Sequence, residues 1–379
     1  MMQHRIIRLI LIVAAACLPL CAEASAKDFF KKLKHRLDSS ALRGVDTTYV
    51  GLPRKKWSIS YNTNVDQMRL TISGEGEEGA ALNHIKFDAH IKILQKATTS
   101  MGLWAGYRGF GFGYSLSLTG NEGTNISVGI ASRAYGLNAR FYRFKHDTPI
   151  LGLENMTVDG QPVYDDRLNE REYNIHNPMT VTALVIDGYY IFNRKRFSHA
   201  AAYNQSTLQL RSAGSPIVGL MFYYQKYDPN LNTAQPFDGK SPAAITLLLA
   251  RNITTVKVYQ GSIGAGYTYN WVPARGWVIN LTAMPVLTVL NRLTAHEYDI
   301  KAGGSVADKS QFLYLVDRGE KSHGGRVKLN ADVKAAVCYW FKDWYFMASG
   351  QVHYFRSSYS SITTRYFDWS GKASVGFTF

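Results

Sequence analysis

From Trp57 to Phe379 the chain is a succession of short segments in which apolar and polar residues alternate. The clearest is the last. Phe367, Trp369, Gly371, Ala373, Val375, Phe377 and Phe379 share one face, and Tyr366, Asp368, Ser370, Lys372, Ser374, Gly376 and Thr378 share the other. A period of two places successive side chains on opposite faces of a β-strand. Arg326–Phe341 repeats the pattern, with Val327, Leu329, Ala331, Val333, Ala335, Val337, Tyr339 and Phe341 opposite Arg326, Lys328, Asn330, Asp332, Lys334, Ala336, Cys338 and Trp340. Trp344–Tyr354 does the same. Buried in a dry core, Lys328, Asp332 and Lys334 would each carry a desolvation penalty of several kcal/mol unless paired. A wet interior enclosed by an apolar exterior removes that penalty, so the pattern predicts a transmembrane barrel rather than a soluble sandwich.

Twelve strands follow from the alternation, at 57–73, 97–107, 109–119, 124–133, 135–146, 179–193, 214–228, 254–270, 276–291, 324–341, 343–358 and 365–379. The predicted fold class is all-β, an antiparallel transmembrane β-barrel of about 12 strands. Tight turns such as Arg108-Gly109, Val272–Arg275 and Lys342-Asp343 join some pairs, and long polar connections, His146–Asn177, Tyr227–Asn252 and Arg292–Gly324, join others. Short turns on one side and long loops on the other suit an outer-membrane barrel whose long loops face outward. Two places fit poorly. In the first strand Trp57, Ile59 and Tyr61 are odd-numbered whereas Met68, Leu70 and Ile72 are even, which predicts a bulge near Asp66. Residues 194–213 can be read as a strand, a periplasmic turn or a segment folded into the lumen.

The N-terminus sets the expected compartment. Arg5 and Arg8 precede an apolar run from Leu9 to Leu20, and Ala24-Ser-Ala26 follows. That order is a secretory signal peptide, residues 1–26, with cleavage expected after Ala26. Lipidation would need Cys17 or Cys21, and Cys21 follows Leu20 where a small residue is wanted. Residues 27–56 then form a periplasmic helix and connector, the helix over Lys27–Arg43 with Phe29, Phe30, Leu33 and Leu37 at helical spacing. The barrel occupies residues 57–379.

Composition adds to this picture in three ways. Loss of the leader removes Arg5, Arg8 and Glu23 and takes the formal charge from +15 to +14, an excess that favours acidic partners. Tyr is abundant, at 24 residues, as expected of aromatic girdles at the two membrane interfaces. After the leader a single cysteine, Cys338, remains, and it reads as a small buried side chain rather than half of a disulfide.

Candidate chemistry is sparse. Gly109-x-Gly111-x-Gly113 and Gly261-x-x-Gly264-x-Gly266 do not open a helix, which a phosphate-binding loop requires. In strands, alternating glycines make inward room or close aromatic contacts. Ser212, Ser215, His199, His353 and Asp368 are the ingredients of a hydrolase, but no nucleophile elbow holds them, and the ten histidines have no paired metal spacing. No catalytic residue, metal ligand or cofactor is therefore expected. The lumen-facing charges carry more information. Arg140, Arg326, Lys328, Lys334 and Lys372 fall on the polar face, against Asp332 and Asp368. They are read either as a basic, anion-favouring pore or as a packed lumen whose charges pair across strands.

Several stretches resemble a known family: Asp46-Thr-Thr-Tyr-Val50, the Gly102–Tyr114 hairpin, and above all Tyr189-Tyr-Ile-Phe-Asn193, Arg196-Phe-Ser198 and Ser212-Ala-Gly-Ser215. Together they resemble the Bacteroidota outer-membrane barrel family of domain of unknown function 4421, over about residues 45–379. The resemblance implies the fold and the source and assigns no activity. It also marks Tyr190, Phe192, Asn193, Phe197, Ser198, Ser212, Gly214 and Ser215, which flank the stretch that the strand period does not explain. The expectation is an outer-membrane barrel that is structural or surface-binding. The second reading is a small pore for anionic solutes or lipids, and the third is a hydrolase. Expected partners are outer-membrane lipids, with lipopolysaccharide a candidate, an anionic solute, and the barrel-insertion machinery, which would engage the strand ending in Phe379. Nucleic acid is not expected.

Overall fold

The computed structural model describes residues 23–40, 44–80, 83–94, 98–118, 124–131, 134–146, 150–162, 171–172, 179–228, 253–303, 312–359 and 362–379. Residues 1–22 of the expected leader lie outside them. Helix α1 spans Glu23–Ser40 and therefore starts before the expected Lys27. The strands, in chain order, are β1 (Val50–Gly51), β2 (Trp57–Ala80), β3 (Asn83–Leu94), β4 (Thr98–Tyr107), β5 (Phe110–Ser117), β6 (Thr124–Ala131), β7 (Tyr135–His146), β8 (Ile150–Val158), β9 (Gln161–Pro162), β10 (Arg171–Glu172) and β11 (Met179–Ile191). After helix α2 (Ala200–Tyr203) come β12 (Leu208–Gln209), β13 (Ala213–Asp228), β14 (Ile253–Trp271), β15 (Trp277–Gly303), β16 (Phe312–Gly324), β17 (Lys328–Phe341), β18 (Trp344–Tyr359) and β19 (Ile362–Thr378).

Twelve of these strands close into an antiparallel barrel, in the ring order β2-β4-β5-β6-β7-β11-β13-β14-β15-β17-β18-β19. The seam is β19 against β2. Trp57 N–H donates to the Phe379 carbonyl (3.2 Å) and Phe379 N–H donates back to the Trp57 carbonyl (3.0 Å). Closure satisfies every strand edge within the ring, which a lipid environment demands. The outer wall is apolar: Ile59, Leu103, Leu116, Leu137, Leu220, Leu281, Leu329 and Val375 are all exposed there. Moving such side chains out of water is worth about 1.5–3 kcal/mol each. Around the end where the short turns lie, Trp57, Tyr135, Trp271, Trp277, Phe341, Trp344 and Phe379 form an aromatic girdle. The inner wall is polar, with Ser60, Asn62, Thr268, Asn270, Asn280, Thr282, Asn330 and Asp332 buried. The β4–β5 hairpin turns on Arg108 and Gly109, both at positive φ (48° and 94°), as a type I′ turn requires.

Three expectations change. No bulge interrupts β2 near Asp66, where its register with β19 is unbroken from Ser58 to Gly74. At that point β2 instead exchanges its partner β4 for β3 and leaves the belt, so membrane parity ceases to apply. The stretch Arg292–Gly324 is mostly a hairpin of β15 and β16, and His146–Asn177 contains β8, β9 and β10. Of the connection Tyr227–Asn252, residues 229–252 lie outside the described residues. Arg326 precedes β17 and is exposed, because β15 changes partner from β17 to β16 between Thr288 and Arg292 and residues 325–327 fall between the two pairings, with only Gly325 N–H reaching the Asn291 carbonyl (2.7 Å).

Candidate functional site

The lumen is entered from the turn end by residues 192–212, the segment that does not keep the strand period. After β11 the chain turns at Asn193, whose backbone N–H donates to Ser215 Oγ and whose side-chain amide donates to the Gly214 carbonyl, both at 2.8 Å. The two roots of the segment are thereby joined. Phe197, Ser198 and Ala200–Ala202 are fully buried. The three alanines let α2 lie close to the wall, where the small residues Ala336 and Cys338 of β17, with Val278, Tyr345 and Met347, receive Ala202. Gln205 ends the helix at φ 57°, and its amide donates to the Ala202 carbonyl (3.1 Å). Tyr203 OH donates to Asn280 Oδ1 (2.8 Å), and Asn280 continues through Asn270 and Thr268 to Thr282. Asn204 reaches the β4–β5 turn, donating to the Gly109 carbonyl (3.3 Å). The segment is thus a plug bonded to the wall on several sides.

Gln209 holds the plug together. Its carbonyl oxygen accepts from Ser198 N–H (2.9 Å) and Asn270 Nδ2 (3.1 Å). Its amide faces the carbonyls of Arg196 (2.7 Å), Arg211 (2.9 Å) and Tyr49 (3.3 Å). The Tyr49 contact is one part of a latch below the plug. There β1 pairs with β12, Val50 opposite Gln209 and Gly51 opposite Leu208. Arg196 and Arg211 lie over the Tyr49 ring at 5.1 and 5.8 Å, and Arg196 also meets Asp46 at 3.5 Å. Helix α1 is tied to the same end of the barrel through Asp38, which accepts from Lys56 and Tyr107 at 2.9 Å and faces Arg108 at 3.5 Å. Burial disfavours the Asp38 anion, but the hydrogen bonds from Lys56 and Tyr107 and the charges of Lys56 and Arg108 hold its carboxyl below the usual range.

Above the plug the lumen is crossed by charge. Asp187 on β11 meets Arg140 of β7 at 3.7 Å and Lys334 of β17 at 3.6 Å, and it accepts from Asn138 (3.0 Å). Lys334 also meets Asp332 (3.6 Å), which in turn faces His353 (3.1 Å) and accepts from Gln351 (3.1 Å). β11 and β17 stand four steps apart in the ring, so this network spans the interior. Farther from the turns, Tyr223, Phe355 and Tyr366 pack ring to ring with centroids 5.2–6.4 Å apart, over Met221, Met284 and Val286. The expected basic lumen is neutralised in this region. Arg140 and Lys334 are bound to carboxylates, Lys328 is half-buried at the far end of β17, and Arg326 is exposed just before β17. Asp368 and Lys372 keep the inward parity of β19, and Lys372 Nζ sits 5.9 Å from the Trp104 ring centroid.

A cavity of about 240 Å³ remains beside the plug, along the inner wall of β2, β4–β7, β11 and β17–β19. His199, Tyr203 and Gln205 border it from the plug, and Trp104, Arg140, Asp66 and Lys372 from the wall.

The sequence profile of one family, described as "Domain of unknown function (DUF4421)", matches residues 44–379, from the latch through the whole barrel. The chain belongs to this family. No curated protein matches it. Among solved structures it is similar to the translocator domain of the autotransporter NalP from Neisseria meningitidis, at 12% identity, covering 94% of this chain and 98% of that one, with a TM-score of 0.33. An outer membrane channel from Pseudomonas putida F1 is similar at 11% identity, with 87% and 98% covered and a TM-score of 0.29. The transport unit of the autotransporter AIDA-I from Escherichia coli has 11% identity, 92% and 97% covered and a TM-score of 0.27. Nothing about the activity of this DUF4421 protein follows from likenesses at that level.

The stretches that carry the DUF4421 resemblance converge on the plug. Asn193, Ser212, Gly214 and Ser215 form its roots, with Ser212 Oγ accepting from Val272 N–H (2.9 Å). Phe197 and Ser198 are its buried start, and Ser198 Oγ shares a 2.7 Å hydrogen bond with Thr207. Asp46–Val50 supplies the latch. Tyr190 and Phe192 point outward instead and pack edge to face at 5.2 Å. Tyr49 and Trp104 fall inside family-like stretches without standing out there, and Gln209 and Asp187 lie outside them. Gln209 lies between Leu208 and Leu210 in a stretch already out of period, and its isolation there is the signal that could have marked it.

Proposed function

We propose that this chain is a non-enzymatic barrel of the bacterial outer membrane that its own chain closes, acting as a structural or surface-binding protein. The observation that carries the reading is the inward fold of residues 192–212, bonded at its roots, along its length and at the latch. The height of the strands supports a role outside the bilayer. β15 has 27 residues, whereas about 9–11 suffice to cross, and β2, β3 and β8 likewise form extra sheet. The non-enzymatic reading is supported by the state of the candidate nucleophiles. Ser215 Oγ lies between Asn193 N–H and the Pro216 carbonyl (2.7 Å), and Ser212 Oγ serves Val272.

Export with cleavage near Ala26, a Bacteroidota source, contacts with outer-membrane lipids and lipopolysaccharide, and delivery to the insertion machinery by the strand ending in Phe379 belong to the same reading. Planar-bilayer recording tests it. The full chain is expected to give no conductance steps, whereas a variant with residues 194–211 replaced by a short Gly-Ser link conducts. Sustained openings of the intact chain would overturn the closed reading. If those openings were anion-selective, they would favour the pore for anionic solutes.

A further inference from the structure

We propose that the cavity beside the plug binds a small cyclic monoanion of the sugar-acid class. The inference rests on the closed-lumen reading, since an open channel would not enclose the space.

The floor of the cavity is built for a ring. Trp104 of β4 lies over three inward glycines, Gly111 and Gly113 of β5 and Gly129 of β6. A Cβ at Gly113 would come within 2.7 Å of the indole Cε3, and one at Gly129 within 3.1 Å of Cη2. The glycines therefore let the indole rest on backbone, which fixes its orientation and leaves it bordering the cavity. An aromatic surface amid polar groups is suited to a ligand with one apolar ring face and polar edges. Asn62, Asn64 and Ser127, which also line the space, supply donors and acceptors for hydroxyl groups.

One cation is left for a ligand. Arg140, Lys334 and Lys372 line the cavity. Arg140 and Lys334 are both engaged by Asp187, and Lys334 also by Asp332. Lys372 has no carboxylate within ion-pair distance among the described residues, and its ammonium stands over Trp104. A monoanion whose ring lies at Trp104 brings its carboxylate to that ammonium.

His199 supplies a third independent observation. It is 3% exposed, and neither ring nitrogen has a hydrogen-bond partner among the described residues. Its ring is held between Tyr189 and Tyr203, at centroid distances of 4.5 and 4.3 Å. A buried imidazole so fixed, bordering a cavity, is placed to bond to an occupant. The volume, about 240 Å³, is ample for a monosaccharide derivative.

Calorimetric titration of the full-length barrel in detergent with glucuronate, glucose and propionate tests the proposal. Glucuronate is expected to bind at least tenfold more tightly than neutral glucose or acyclic propionate. Lys372→Met should lower glucuronate affinity at least tenfold and leave glucose unchanged, and Trp104→Leu should lower both sugars. No heat with glucuronate at millimolar concentration, equal affinity for glucose, or an unaltered Lys372→Met variant would overturn it, and the first two use the unmutated chain. Conductance of the same preparation separates the failures. A closed barrel without glucuronate binding rejects this site alone, and an open one rejects the plug.

Discussion

Gln209→Leu tests whether the plug is held by one amide. Leucine is close to isosteric, so the change removes hydrogen bonds without opening much space. Five polar groups face the Gln209 amide. Two of them keep another partner. The Tyr49 carbonyl still accepts from Leu210 N–H at 2.7 Å, and Asn270 Nδ2 still donates to the Ser198 carbonyl at 2.8 Å. The Arg196 and Arg211 carbonyls belong to exposed residues and can turn to water. Ser198 N–H remains. A buried group left unsatisfied costs about 1–3 kcal/mol. At 1.4 kcal/mol per decade this raises the open-plug population about 5- to 100-fold. Hydrogen–deuterium exchange reads it directly: amides in residues 196–209 should lose about one to two decades of protection, while those of β14 and β15 keep theirs. Undiminished protection in the plug, or an equal loss across the barrel, would refute the assignment.

Lys334→Met leaves Asp187 with Arg140 and Asp332 with His353 and breaks the bridge between β11 and β17. Removing one member of a buried ion cluster costs about 3–5 kcal/mol, to be seen as a lower urea midpoint with the strand content retained. Gly113→Ala drives a methyl into Trp104 and should destabilise the barrel by about 1–3 kcal/mol and shift its tryptophan emission. The contacts of Asp38 set a pH dependence. Its folded carboxyl lies below the unfolded value, so its contribution is present above about pH 4 and lost as pH falls through the folded value; α1 should become protease-sensitive there, and Asp38→Asn should be sensitive at neutral pH.

How far the fold was legible depended on where the membrane lies. Inside the belt one face meets lipid and the other meets polar lumen, so period two was visible and the strands of the ring could be placed. Above it both faces are wet. The outer halves of β2 and β15 and the strand β16 therefore carry no apolar stripe; β3 does alternate, Ile85, Phe87, Ala89, Ile91 and Ile93 against Lys86, Asp88, His90 and Lys92, and its pattern is not among the twelve strands expected from sequence. The site was legible only in part. The DUF4421-like stretches and the failed period located the plug roots, and inward parity located Arg140, Lys334, Asp332 and Lys372. The partner of Lys334 could not be read, because Asp187 lies on a strand that only the closed ring brings opposite. Trp104 was hidden for a similar reason: its glycine bed comes from β5 and β6, while the indole comes from β4.

The position of β1 bears on assembly. It lies just upstream of β2, and β2 is the strand that meets β19 at the seam. β2 is held by β4 on its other side, so closure at the seam and the β1–β12 latch draw on the same end of the chain.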